Sequence, residues 1–174
     1  MALKTDIQGM VWPYPDAFVV GQQDIRAFAK SVKAEDDATF DDLAAKRLGH
    51  RAVVASPTFP AVFAGVIQRH FLRHVDVGMD SIQMIQVDQS FRYHRPIYAG
   101  DVLRGIMYVE SVIERFGADI VTTRSVCTGQ DGDVVLEAFT TMMGRHEDMS
   151  DYLLWDEESA QHVRTPGWQG PNPD

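Results

Sequence analysis

Apolar residues recur along this chain at two different spacings, and the change from one to the other marks out its elements. From Gln22 to Val32, residues Ile25, Phe28, Ala29 and Val32 fall three and four apart, which places them on one face of a helix. A shorter helix is predicted over Asp41 to Leu48. It ends at Gly49, the residue type that most readily takes the left-handed conformation past a helix terminus. The longest helical pattern runs from Thr58 to Val75, carried by Phe59, Phe63, Val66, Ile67, Phe71 and His74. Ala61, Ala64 and Gly65 keep most of its other face small, so it can be packed around most of its circumference. Such a helix spans about 24 Å, and each large apolar side chain it buries contributes roughly 1.5–3 kcal/mol. It is expected at the centre of the domain.

Beyond that helix the pattern becomes that of strands. Ile82 to Tyr93, Asp101 to Ile113, Asp119 to Gly129 and Val134 to Met143 are rich in Val, Ile, Thr, Tyr and Phe. Phe116-Gly117-Ala118 and Gln130-Asp131-Gly132 separate the last three as short turns, and short connections imply antiparallel neighbours. One long helix followed by an antiparallel meander is an α+β domain with the sheet curled around the helix. The domain is expected to cover 1–143. After Gly144 the periodicity gives way to acidic residues and then to Pro166, Gly167, Gly170, Pro171 and Pro173, so 144–174 reads as an extension. Tyr152, Leu153, Leu154 and Trp155 are too apolar to be wholly solvated and are expected to dock, whereas Thr165 to Asp174 is expected to be loose.

Charge and cysteine content narrow the function classes. The net charge of −9 argues against a polyanionic partner such as nucleic acid, because phosphate neutralisation needs clustered Lys and Arg. Part of that excess lies between His146 and Ser159, which hold six carboxylates and no Lys or Arg. The single cysteine, Cys127, leaves no intrachain disulfide and no Cys-rich metal site. Met1 to Asp6 lacks a basic segment followed by an apolar one, and no apolar run approaches the roughly 18 residues of a membrane span, so a cytoplasmic location is expected.

The element order, with Arg95-Pro96-Ile97-Tyr98-Ala99-Gly100-Asp101 between the first two long strands, resembles the hot-dog fold of MaoC-like hydratases and dehydratases. A more extended match covers nearly the whole domain. Met1 to Ile7, Tyr14-Pro15-Asp16, Ile85 to Gln89, His94-Arg95-Pro96 and Phe116 to Val121 are similar to the HadA/HadC subunit family of the mycobacterial type II fatty-acid synthase. His74 to Met79 and the Trp155-Asp156 tail resemble the HadC branch more closely. This resemblance implies pairing with a HadB-type catalytic hot-dog subunit. It also implies removal of water from a (3R)-hydroxyacyl thioester on acyl carrier protein during meromycolate elongation, with no cofactor.

That elimination needs a base for the C2 proton, an acid for the departing hydroxyl, and donors for the enolate oxygen. In the MaoC-like family an Asp-x-Asn-Pro-x-His motif holds the acid and base. A backbone N–H at the start of the central helix, helped by the helix dipole, holds the oxyanion. Here the motif region falls on Ala34-Glu35-Asp36-Asp37-Ala38-Thr39, with Ala34 in the Asp slot and Thr39 in the His slot. No shift of register supplies a histidine, the nearest being His50, and the only asparagine is Asn172. The family's His-Gly falls on Ser56-Pro57, and proline has no N–H to donate. The expected chain therefore has no catalytic residues of its own. It shapes a substrate channel, for which Phe59, Phe63, Val66 and Ile67 are the candidates, though they are core residues first.

Other residues have plainer readings. Glu35, Asp36 and Asp37 read as a solvated acidic loop. His70 and His74, four apart, permit metal ligation but have no carboxylate or HExxH to complete a site, so a partly buried or interface role is expected. His94 reads as a strand-end surface residue. Ser56, Ser81 and Ser90 lack a nucleophile elbow, and neither a Gly-x-Gly-x-x-Gly nor a P-loop is present. Arg69, Arg73, Arg92 and Arg95 read as solvated or ion-paired, with carrier-protein contact as the alternative. Two further functions compete: a self-sufficient hot-dog thioesterase, disfavoured because Thr58 to Val75 holds no carboxylate, and a homodimeric acyl-binding module. A lone hot-dog sheet leaves an unpaired edge strand, which a second hot dog would satisfy.

Overall fold

Helices form where the apolar spacing places them. In the computed structural model, which describes residues 3–78, 84–115, 118–145, 153–164 and 166, α1 covers Gln22–Ser31 and buries Ile25 and Ala29. Val32, expected on that face, instead caps the helix and is exposed. α2 covers Asp42–Arg47, where Asp41 caps the start by accepting from the Ala44 N–H at 2.8 Å. Gly49 follows with φ +85, as a left-handed stop requires. The long helix, α3, covers Pro60–His74. It begins two residues later than the pattern because Thr58 and Phe59 form a turn, and Pro60 takes the first helical position, where a missing N–H costs nothing.

The four long strands form as expected. Two short ones, which the sequence pattern does not reveal, precede them. β1 (Val11–Pro13) and β2 (Phe18–Val19) come before α1, followed after α3 by β3 (Met84–Tyr93), β4 (Val102–Arg115), β5 (Ala118–Thr128) and β6 (Val134–Arg145). The sheet runs β1-β4-β5-β6-β3, all antiparallel, with β2 also on β4. Bulges at Gln86/Asp88, Val109/Ser111 and Cys127/Thr128 let it bend across the helix. The expected starts at Ile82 and the turn at Phe116-Gly117 lie outside the described residues.

Phe63, Ile67 and Phe71 of α3 press onto the inner face of the sheet, against Leu103, Met107 and Leu136 among others. Gly105 of β4 permits this close approach, since a Cβ there would lie 2.4 Å from Ile67 Cδ1 and 3.1 Å from Phe63 Cζ. Phe18 stacks on Phe63 with ring centroids 4.8 Å apart. One long helix gripped by a bent antiparallel sheet is the hot-dog arrangement.

β7 (Leu153–Asp156) and β8 (Gln161–Arg164) form a separate hairpin, and β8 lies beside α3. In this hairpin Trp155 is half-buried and Leu154 exposed; Tyr152, Thr165 and 167–174 lie outside the described residues. Among the described residues no helix is long and apolar enough to cross a membrane.

Candidate functional site

The approach to α3 is held by the Arg95-to-Asp101 turn. Gly100, at φ +89, turns the chain so that the Asp101 carboxylate comes back beneath it. Asp101, only 4% exposed, accepts from the Tyr98 N–H at 3.0 Å, from Arg95 Nη1 at 2.8 Å and from Arg51 Nη2. Arg51 also lies over the Tyr98 ring. This turn pairs with the chain leading into the helix: Ala55 N–H donates to Ile97 O at 2.8 Å, and Ala99 N–H to Val53 O at 2.9 Å.

The residues onto which the sequence reading laid the family's catalytic motif, Ala34, Thr39, Ser56 and Pro57, are gathered beside that lead-in. Val54 N–H donates to Ala38 O at 3.1 Å, which ties the loop carrying Ala34 and Thr39 to the segment carrying Ser56 and Pro57. None of the four offers proton chemistry. Ala34 is half-buried, and Thr39 is buried with its hydroxyl donating to Asp36 O at 2.7 Å. Asp36 itself caps a short turn by accepting from the Ala38 N–H, and Glu35, Asp36 and Asp37 all face solvent. Pro57 is exposed, precedes the helix, and accepts a short hydrogen bond from the Tyr93 hydroxyl at the end of β3. Burial pushes that phenol up to about 12, so it stays a donor. Ser56 Oγ is buried and has no protein partner.

The channel candidates separate. Phe59, Phe63 and Ile67 are buried in the core, whereas Val66 is only half-buried. Open space between helix and sheet begins one turn later, as a cavity of about 30 Å³. Gln68, Phe71 and Leu72 of α3 form one wall. Met84, Met107, Val121, Thr123 and Met142, from four strands, form the other, and Leu3, Ile7 and Val77, from outside those elements, complete the lining. Among the described residues Gln68 and Thr123 are its only polar side chains, and none that lines it is ionisable. The sequence reading missed these residues. Their one signal was methionine at inward positions of three strands, a side chain that fills irregular gaps.

The remaining candidates are paired on the surface. His94 Nε2 lies 3.1 Å from Glu137, which also receives Arg92 and Arg124. Arg95 holds Asp133 as well as Asp101, while Arg69 and Arg73 are exposed. Burial pushes the Cys127 thiol up to about 12, leaving it unreactive. Among the described residues no cluster of His, Cys, Asp and Glu could hold a metal ion. His70 and His74 stack with ring centroids 4.1 Å apart rather than converging on a point.

That stack tethers the first strand. Trp12 Nε1–H donates to His70 Nδ1 at 3.1 Å, and the Tyr14 ring packs edge-on against His70. Protonation at Nδ1 would set two donors against each other. Burial, then the neighbouring His74, hold His70 below its ordinary 6.5, with Asp16 opposing and Arg73 assisting. The folded pKa lies below the unfolded one, so this contribution is complete above that ordinary value. It is lost as pH falls through it toward the folded value. Thermal unfolding followed between about pH 7.5 and about pH 5.5 should show a steeper loss in the wild type than in His70→Gln; equal slopes would remove His70 from the account.

Comparison with known proteins agrees with this geometry. Residues 8–138 match the family described as FAS1-like, dehydratase domain region. A UPF0336 protein of Mycobacterium tuberculosis is 53% identical over 165 residues, covering 95% of this chain and 99% of the relative. A chain of the crystal structure of the C-terminally truncated HadBC (3R-hydroxyacyl-ACP dehydratase) complex from M. tuberculosis is 52% identical. It superposes with a TM-score of 0.76, covering 82% of this chain and 100% of the other. A MaoC-like dehydratase is 25% identical with a TM-score of 0.75, covering 94% of this chain and 52% of its own. A hot-dog helix and sheet, a family match over most of the chain, and relatives at this level of identity establish that the chain belongs to the FAS1-like dehydratase-region family.

Proposed function

We propose that this chain is the non-catalytic, channel-shaping subunit of a heterodimeric (3R)-hydroxyacyl-ACP dehydratase of type II fatty-acid elongation, working on mycolic acid precursors. A HadB-type hot-dog partner supplies the acid and base. One observation carries the reading: the space between α3 and the sheet is walled by hydrocarbon, with Gln68 and Thr123 as its only polar side chains among the described residues. Such a lining suits an alkyl chain once its side chains move aside, and it offers no group for the elimination of water. The positions where the family keeps its machinery hold Ala34, Thr39 and Pro57, and none can shuttle a proton or donate a backbone N–H to an oxyanion. The relative named HadBC, a two-letter complex described as a 3R-hydroxyacyl-ACP dehydratase, supports a paired arrangement.

The seam follows from the sheet. Among the described residues β3 is paired only with β6, so its other edge presents ten residues of backbone, with Ile85 and Val87 about half exposed. A long free edge is the usual template for a second sheet. Met84 and Met142, which line the cavity, sit on β3 and its neighbour β6, so the cavity lies on the seam side of the helix. An acyl chain held on carrier protein at the partner's acid and base would pass across β3 into this space.

Co-expression with a HadB-type subunit should give a stable heterodimer that dehydrates long-chain (3R)-hydroxyacyl thioesters, while the purified single chain shows no turnover. Turnover by the single chain alone would overturn the proposal. A monodisperse homodimer that ignores any HadB-type protein would favour an acyl-binding module instead.

A further inference from the structure

The lining of the cavity is not held alike on all sides. Helix and sheet contribute Phe71, Leu72, Met84, Met107 and Met142, most of which change rotamer at little cost, beside the stiffer Val121 and Thr123. Its resting volume of about 30 Å³ holds no more than a few water-sized groups, so a hydrocarbon enters only as the flexible side chains swing aside. The N-terminal segment supplies another part of the lining, and there Leu3 and Ile7 are both 4% exposed. This segment is fastened to three places. Leu3 N–H donates to the buried Asp119 carboxylate at 2.6 Å, Lys4 N–H donates to Val77 O at 2.9 Å, and Lys4 Nζ pairs with Asp76. The Asp76 hydrogen bond raises the Lys4 pKa, so the pair stays charged at neutral pH. Ile7 is held in turn by a tight 3-10 turn, Thr5–Ile7, whose carbonyl end receives Met10 N–H at 3.0 Å.

We infer that the Leu3-to-Ile7 segment is a length stop, the fixed end wall against which the methyl terminus of a saturated acyl chain rests. The inference rests on the channel reading above and adds the residues that limit the chain. The ligand portion is a plain alkyl terminus, since the side chains that line the cavity there, Leu3, Ile7 and Val77, are all apolar. Side walls that yield and an end wall that does not make length, rather than girth, the selected property.

The test uses the full-length chain, alone and with a HadB-type partner, and a ladder of saturated fatty acids from decanoate to tetracosanoate, read by displacement of cis-parinaric acid. Affinity should rise about fourfold per added methylene and then level off at one chain length. Ile7→Ala should move that limit to longer acids, and Ile7→Trp to shorter ones. Lys4→Ala leaves the core untouched, and by freeing the segment it should blur the limit without lowering affinity for shorter acids. A limit that is the same in all four proteins overturns the stop and leaves the channel standing. Failure of the wild type to bind any acid, alone or paired, overturns the channel and the stop together.

Discussion

Replacing Phe63 with alanine should cost about 3–5 kcal/mol of folding stability, within the usual range for a fully buried aromatic ring. The ring is 1% exposed and sits where the helix, the sheet and the N-terminal strands meet. It stacks on Phe18 at 4.8 Å, takes the edge of Tyr14 at 6.1 Å, and lies over the bare backbone of Gly105. Those neighbours belong to three separate elements, so the site cannot collapse by moving one of them, and a cavity remains. In a domain of this size the change corresponds to a fall in Tm of about 6–20 °C. Gly105→Ala tests the same contact from the other side. Its new Cβ meets Ile67 and Phe63, and overpacking of this kind costs about 1–3 kcal/mol. Once Phe63 is alanine, Ile67 has somewhere to go, and Gly105→Ala should cost less. Strict additivity of the two changes in chemical denaturation would refute this packing account.

Asp101→Ala should be the next most damaging single change, at about 3 kcal/mol, because it strips a buried acceptor from several donors at once. Arg51 and Arg95 lose a common partner, and the Tyr98 N–H loses its only described acceptor. The two guanidiniums are partly exposed and can recover water, which keeps the loss below that of an enclosed ion pair. The structural consequence extends further than the turn. Ile97 and Ala99 hold the strand-like lead-in to α3, so slackening the turn loosens the start of the central helix. Asp101→Asn keeps the shape and one acceptor, and should recover roughly half of the loss. Urea denaturation of the three proteins decides the matter; an alanine variant as stable as the wild type would show the turn to be held by its backbone alone.

Most of the architecture was readable because it repeats. α1, α2, α3 and the four long strands each carry a periodic run long enough to outweigh local exceptions, and the turn at Arg95-to-Asp101 has residues that few other structures need. β1 and β2 were not readable. Each has only two or three residues, and their pairing with β4 comes from the N-terminal segment crossing the sheet rather than from any alternation of their own. Val66 was grouped with Phe59, Phe63 and Ile67 by spacing alone. In the structure Val66 is only half-buried, whereas the other three are buried, a difference in packing that spacing along the chain does not carry.

The sequence alone determined that this is a helix-and-sheet domain, because periodicity is a property of the residues themselves. Only the tertiary structure decided where a gap between helix and sheet remains. Leu3, Phe71, Met107 and Met142 are far apart in the chain, and a cavity is a property of the gap left between elements after they pack, which no single element encodes.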